Sequence, residues 1–155
     1  MAIQKISGGS LEWNDAKFMS FISDEMMKAM EKATIYTQGV AKEMVGGAGT
    51  GREYKRGKKI HRASTPGSPP ARDNGILANS ISYTIKRTIF GVKGYVGSDI
   101  DKIRSEDSTS DVEYGYYLEK GTSRGIAARP WLLPSLIKAK PKITSIFKNA
   151  MKAIK

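Results

Sequence analysis

The feature that most constrains this chain is a long segment, residues 15–45, with apolar side chains at the three-and-four spacing of one helical face. The members of that face are Phe18, Ile22, Met26, Met30, Ala33, Val40 and Met44. The spacing predicts a long amphipathic helix. The glycines that begin at Gly46 predict its end, because glycine lowers helix propensity and accepts left-handed backbone angles.

A strand pattern follows Gly75. Residues 77–90 read LANSISYTIKRTIF, in which apolar and polar side chains alternate with the period of a half-buried strand. The apolar members are Ile81, Tyr83, Ile85 and Ile89, and the polar members are Ser82, Thr84, Lys86 and Thr88. The pattern predicts one strand of a sheet.

A second strand is predicted at residues 92–98, VKGYVGS, after a turn that Gly91 permits. Two strands alone are marginally stable, so they must pack on the long helix. We expect a third strand from the segment around Ile3 to Ile6. The fold class is therefore predicted as α+β: a small antiparallel sheet packed by a long N-terminal helix and a C-terminal helix, with a long basic loop.

The basic loop is residues 46–75, which show no periodicity and are rich in Gly, Pro, Lys and Arg. A loop of this length is uncommon in a compact domain unless it is functional or orders on a partner. Its GREYKRGKK stretch has five residues between glycines, where a phosphate-binding Walker loop has four, and no Ser or Thr follows the lysine. We therefore consider two interpretations, a flexible solvated loop and a partner-binding arm.

Near the C-terminus, Tyr114, Tyr117 and Leu118 have the spacing of a short helix that Gly121 would end. A last helix is predicted after Pro130, and Pro141 is expected to break or kink it. Its apolar side is formed by Leu136, Ile137, Ile143, Ile146, Phe147, Ala150, Met151 and Ile154.

Residues 121–125, GTSRG, match the G-x-S-x-G of a hydrolase nucleophile elbow. That elbow requires a strand before the serine, a helix after it, and a histidine base. His61 is the single histidine, lies upstream, and falls in loop-like sequence. We therefore interpret GTSRG as a glycine-flanked turn and expect no catalytic residue.

The formal charge of +11 is unevenly distributed. Residues 52–62 carry six Lys or Arg and one Glu, and residues 138–155 carry six Lys and no acid. Between positions 99 and 119 there are seven acids: Asp99, Asp101, Glu106, Asp107, Asp111, Glu113 and Glu119. Separate basic and acidic segments can complement copies of the same chain or charged neighbours in an assembly.

Composition excludes several classes of function. The 155 residues predict one domain, 1–155, with residues 46–75 as its flexible basic loop and 105–111 as an acidic surface loop. The absence of cysteine excludes disulfides and thiol catalysis, and one histidine argues against a histidine metal site, so we expect no cofactor and no metal. No signal peptide or apolar membrane span is recognised, which predicts a protein of the cytosol or of something assembled there.

Several short motifs occur in a fixed order over roughly residues 15–150. An ASxPGxPP…xGxLxxSI pattern falls on Ala63, Ser64, Pro66, Gly67, Pro69, Pro70, Gly75, Leu77, Ser80 and Ile81. A VGS pattern falls on Val96, Gly97 and Ser98. A YxxYLExGTSxxxARPxLxPAL pattern falls on Tyr114, Tyr117, Leu118, Glu119, Gly121, Thr122, Ser123, Ala128, Arg129, Pro130, Leu132, Pro134 and Leu136, with departures at Lys120 and Ser135.

In this order the motifs resemble the tail-completion, or head–tail joining, proteins of long-tailed bacteriophages, the family typified by gene product ten of a lambda-like phage. The resemblance implies a structural virion protein without catalytic activity. It would form a ring, commonly hexameric, at the head-proximal end of the tail. Its implied partners are copies of itself, the head connector or stopper protein, and the tail tube or tail terminator protein. DNA would pass through the lumen with at most weak contact, and no membrane partner is expected.

Residues expected to contact a neighbouring subunit or partner come from the basic loop, its prolines and the C-terminal motif. They are Arg52, Tyr54, Lys55, Arg56, Lys58, Lys59, His61, Arg62, Pro66, Pro69, Pro70, Glu119, Arg124 and Arg129. The alternative is a nucleic-acid-binding protein that uses the basic loop and the C-terminal helix, favoured by a pI of about 9.8. Tyr54 is the single aromatic residue in the basic stretch 52–62, so base stacking has little support there.

Overall fold

The computed structural model describes residues 4–6, 9–11, 15–88, 91–99 and 114–154. The elements in chain order are β1 (Gln4–Ile6), β2 (Gly9–Leu11), α1 (Asp15–Met44), β3 (Glu53–Arg56), β4 (Lys59–Arg62), α2 (Ile76–Ser80), β5 (Ile81–Thr88), β6 (Gly91–Ser98), α3 (Tyr114–Lys120) and α4 (Leu132–Ala153). The predicted α+β class, with an N-terminal and a C-terminal helix packed on strands, is confirmed.

Helix α1 runs through the predicted segment and forms the base on which α2, β5, β6 and α4 pack. Its buried apolar residues are Ala29, Ala33, Val40 and Ala41, followed by Val45 just beyond the helix end. Thr34 and Thr37 are also buried on this side, and their hydroxyls donate to the carbonyls of Met30 and Ala33. Small residues predominate on the buried face, which lets neighbouring backbone approach α1 closely.

The β5–β6 hairpin lies along α1 and is fixed near both ends of β5. Gln38 donates through Nε2 to the carbonyl of Ile81 at 2.7 Å, and Arg87 pairs with Asp24 at 2.8 Å. Gly94 lies against Thr34 and Met30 so closely that a Cβ at this position would overlap their side chains. Glycine in β6 therefore sets the distance between hairpin and helix.

Strand β5 begins at Ile81, the first apolar member of the predicted alternation, and residues 76–80 before it form the short helix α2. Gly75 precedes α2 at φ 86°, and the Asn74 side chain accepts from the amide of Ile76 at 3.1 Å. This local turn chemistry favours a helix start at Ile76.

The expected third strand is wrong in its pairing. Residues Gln4–Ile6 form a strand, but it pairs with Gly9–Leu11, and the described strands make three separate two-stranded antiparallel sheets. Only two residues separate β1 from β2 in sequence. Closing so short a connection costs little chain entropy compared with pairing across the long interval to residue 81.

A buried apolar cluster joins the end of α1 to the C-terminal motif. It consists of Ala41, Val45, Leu77, Ile81, Leu118 and Trp131. Trp131 is 2% exposed, and its indole Nε1 donates to the carbonyl of Gly115 at 3.1 Å. The tryptophan thus fixes the start of α4 against both α3 and α1.

Glu119 at the end of α3 caps the N-terminus of α4. Its Oε2 accepts from the amides of Trp131 at 2.6 Å and Leu132 at 2.9 Å, and its Oε1 accepts from the amide of Leu133 at 3.2 Å. These amides have no partner within the helix, and a carboxylate there also interacts favourably with the helix dipole.

Helix α4 packs on α1 and continues through Pro141, so of the predicted break or kink the break is wrong. Pro141 and Ile137 are exposed, so water can satisfy the carbonyl of Ile137 that loses its helical donor. The expected apolar side is also only partly covered. Ser135 and Ala139 are fully buried, whereas Leu136, Ile137 and Met151 are 50%, 64% and 65% exposed.

We predict that Glu119→Gln lowers the free energy of unfolding by about 1–2 kcal/mol, because the amide retains one acceptor oxygen and removes the negative charge at the helix N-terminus. Urea unfolding followed by circular dichroism measures this change. The control is Glu43→Gln, whose exposed carboxylate lies 3.9 Å from Lys138 and should change stability by less than about 0.5 kcal/mol. Equal effects of the two substitutions would contradict the capping role.

Candidate partner-binding surface

The middle of the predicted basic loop is a β-hairpin, which the sequence analysis did not predict. Strands β3 and β4 pair antiparallel, with Tyr54 opposite His61 and Lys55 opposite Ile60. Gly57 supplies the positive φ of 57° in the connection. Backbone pairing continues at Ala63. Its amide donates to the carbonyl of Arg52 at 2.9 Å, and its carbonyl accepts from the amide of Gly51 at 2.7 Å.

The hairpin exposes cations that have no ion-pair partner among the described residues. Lys55, Lys58 and Lys59 are all exposed and belong to no ion pair in the described part of the chain. Ile60 is 72% exposed between them. We call residues 53–62 the basic arm. The backbone of Arg56 belongs to β3, and its side chain lies outside the described residues.

Other cationic residues of the arm are engaged locally. Arg62 forms an ion pair with Glu53 across the hairpin, and the guanidinium of Arg52 lies 5.5 Å from the ring centroid of Tyr54. His61 places Nδ1 3.5 Å from Oδ1 of Asp73, which draws the arm toward the segment that precedes α2. The arm therefore exposes Lys55, Lys58 and Lys59, while Arg62 and His61 make contacts within the chain.

The base of the arm is held by the proline segment and the C-terminal motif. Gly67 donates to the carbonyl of Ala128 at 2.8 Å, and Arg129 donates through Nε to the carbonyl of Ser64 at 3.2 Å. Pro66 is exposed, Pro69 is half-buried and Pro70 is buried in this segment. Arg129, predicted to contact a partner, thus joins two parts of its own chain.

The GTSRG motif is a turn after helix α3. Gly121 has φ 74° and Gly125 has φ 102°. The amide of Thr122 donates to the carbonyl of Ile126, and the carbonyl of Thr122 accepts from the amide of Gly125. Ser123 and Arg124 are exposed on this turn. A helix, not a strand, precedes the serine, so the strand–turn–helix context of a nucleophile elbow is not present there.

Two predicted acidic features lie apart from the arm or outside the described residues. Both carboxylate oxygens of Glu119 accept backbone hydrogen bonds within the chain, so we leave Glu119 out of the partner surface. The acidic loop 105–111 lies outside the described residues.

An open apolar groove lies between β6, α3 and α4, and the sequence analysis missed it. Its volume is about 700 Å³. Large exposed side chains line it: Tyr95, Tyr116, Leu133 and Leu136, which are 48%, 60%, 60% and 50% exposed. The available signal was that Leu133 and Leu136 lie on a different side of α4 from the buried Ser135 and Ala139.

The described residues contain no group of three or more His, Cys, Asp or Glu side chains that could hold a metal ion. Within that same part of the chain, no helix is both long and apolar enough to cross a membrane. Comparison with protein-family models, curated proteins and solved structures finds no match to this chain.

We predict that Gly49→Ala disturbs the base of the arm, because a Cβ on Gly49 would overlap the carbonyl oxygen of Arg62 and that of Ala63. Relief of this overlap requires backbone movement, with an expected loss of about 1–3 kcal/mol of stability. Urea unfolding measures the loss, and faster amide hydrogen exchange at residues 59–63 would locate it. In Gly47→Ala the added methyl meets no atom within 4 Å. This variant should therefore keep the stability of the unchanged protein, and amide hydrogen exchange at residues 59–63 should remain slow.

Proposed function

We propose that this chain is a structural virion protein of a tailed phage. It forms a ring at the head-proximal end of the tail and joins the tail to the head connector. The observation that carries the proposal is the basic arm. Its exposed lysines have no ion-pair partner in the described part of the chain, and its base is anchored by Arg129. Such a surface suits an acidic protein partner, because charge complementarity sets orientation and suppresses wrong partners.

The contacts at the base support the same proposal. The motifs that resemble the tail-completion family lie about sixty residues apart in sequence, yet Ser64 and Gly67 of the first contact Arg129 and Ala128 of the last. Residues of the first and the last family-like motif therefore meet at the base of the arm.

The apolar groove supplies a second surface suited to protein contact. Contiguous exposed apolar residues in a protein commonly mark interaction sites. The groove and the arm differ in chemistry, since one is apolar and the other is basic. A ring subunit needs surfaces of this kind for its neighbours above, below and beside it.

In the proposed mechanism, the arm of one subunit pairs with the acidic segment 99–119 of a neighbouring copy or with an acidic face of the connector. Electrostatic pairing would set register and accelerate encounter more than it would add affinity. The proposal assigns no catalytic residue, metal or cofactor. The protein would reside in the virion neck after assembly in the host cytoplasm, and DNA in the lumen would make at most weak, salt-sensitive contact.

The alternative function is nucleic-acid binding, which the unpaired lysines of the arm favour. Phosphate contacts from such lysines would give salt-dependent, sequence-independent binding. Stacking is less favoured, because Arg52 already lies over the ring of Tyr54.

A charge reversal distinguishes the two functions. We predict that Lys55→Glu, Lys58→Glu and Lys59→Glu together abolish salt-sensitive complex formation with the candidate connector or tail-tube protein, because like charges would face the acidic partner. Size exclusion with light scattering at two salt concentrations measures the complex. Folding should persist, since these side chains are exposed.

The matched control reverses three exposed lysines of α4: Lys142, Lys148 and Lys152. It changes the net charge by the same amount and should retain the complex. Tails completed normally by the arm variant would show the proposal to be wrong. Submicromolar binding of a short duplex at physiological salt, lost in the arm variant, would favour the nucleic-acid function instead.

A further inference from the structure

A separate pocket lies beneath the arm, between β3, β4, the proline segment and the C-terminal motif. Its volume is about 380 Å³, and its polar lining comes from Tyr54, Lys55, His61, Ser64, Asp73 and Arg129. This size is within the range of about 300–1,000 Å³ that is usual for small-ligand sites.

One residue that lines the pocket, Ser64, has a buried hydroxyl without a hydrogen-bond partner. Ser64 is 5% exposed, and within the described residues its Oγ is the only buried side-chain nitrogen or oxygen without a hydrogen-bond partner. A buried polar atom without a partner is costly, and a bound water or ion is one explanation for it. The carbonyl of the same residue is occupied by Arg129, so Ser64 is held in a fixed position by its backbone.

The charged groups around Ser64 favour an anion. Arg129 uses Nε and Nη1 on the carbonyls of Ser64 and Ala127, while its Nη2 donates no hydrogen bond to a described residue. Lys55 adds a second cation at the rim. Asp73 is the acid among the lining residues, and its Oδ1 lies 3.5 Å from Nδ1 of His61.

We propose that this pocket binds a small oxyanion, a phosphate or carboxylate group, through the Ser64 hydroxyl, the Arg129 guanidinium and the Lys55 ammonium. Guanidinium and ammonium groups form strong charge-assisted hydrogen bonds with such oxygens, and a serine hydroxyl can donate the third. The group can belong to a small metabolite or to an acidic side chain of a partner. The inference rests on the pocket alone and does not depend on the proposed assembly.

The test is an amide NMR titration of the full chain with inorganic phosphate, and separately with acetate, at constant ionic strength. We expect saturable shifts at residues 54–55, 63–64 and 129, and a phosphate-dependent rise in melting temperature. Ser64→Ala should weaken binding about tenfold, in line with the loss of a hydrogen bond to a charged group. Without anion, Ser64→Ala should melt no lower than the wild type, because the hydroxyl has no partner in the described chain to lose.

The matched pair of controls lies within the arm. Lys55→Ala should weaken binding several-fold, whereas Lys58→Ala removes the same charge from a residue that does not line the pocket and should leave binding unchanged. A response to phosphate alone assigns a phosphoryl ligand. A response to both anions, together with tighter binding of a blocked glutamyl peptide than of acetate, assigns the carboxylate side chain of a protein partner as the ligand. The proposal is overturned if no anion binds saturably, or if Ser64→Ala binds the anion as tightly as the wild type. It is also overturned if Ser64→Ala melts at a lower temperature than the wild type without anion.

Discussion

The junction between Glu119 and Trp131 is the interaction on which the rest of the structure depends. The Glu119 carboxylate accepts hydrogen bonds from the first amides of α4, and the indole of Trp131 lies in the core that α1 and α2 share. Together these contacts fix both ends of the turn 121–130, so its carbonyls and Arg129 face the proline segment in one arrangement. The arm and the pocket beneath it are consequently held by a junction that is itself distant in sequence from residues 53–62.

Sequence periodicity predicted the elements whose faces differ strongly in polarity. Helix α1 and strand β5 fall in this class, and α3 ends at Gly121 as expected because left-handed φ favours glycine there. Strands β3 and β4 could not be recognised in the same way. Their side chains are mostly charged and exposed on both faces, so no apolar alternation marks them, and backbone pairing with local ion pairs sustains the hairpin instead.

The candidate site was predictable in composition but not in arrangement. The predicted lysines Lys55, Lys58 and Lys59 are exposed on one hairpin, yet Glu119 and Arg129 from the same predicted set make contacts within the chain. Whether an arginine faces a partner or a backbone carbonyl depends on which segment folds beside it. Ser64 and Arg129 are 65 positions apart, and no local pattern relates residues at that separation. The same limit explains why the groove around Tyr116 and Leu133 was missed.

The two candidate surfaces constrain how copies of the chain can associate. A twofold contact centred on the basic arm would place like charges against each other. A contact that paired the arm of one copy with a different surface of the next would be heterologous, and heterologous contacts generate a ring when the rotation closes. Because the arm stands on a base fixed by Arg129 and Gly67, less conformational entropy would be lost when it meets a partner than an unanchored loop would lose, which would favour association.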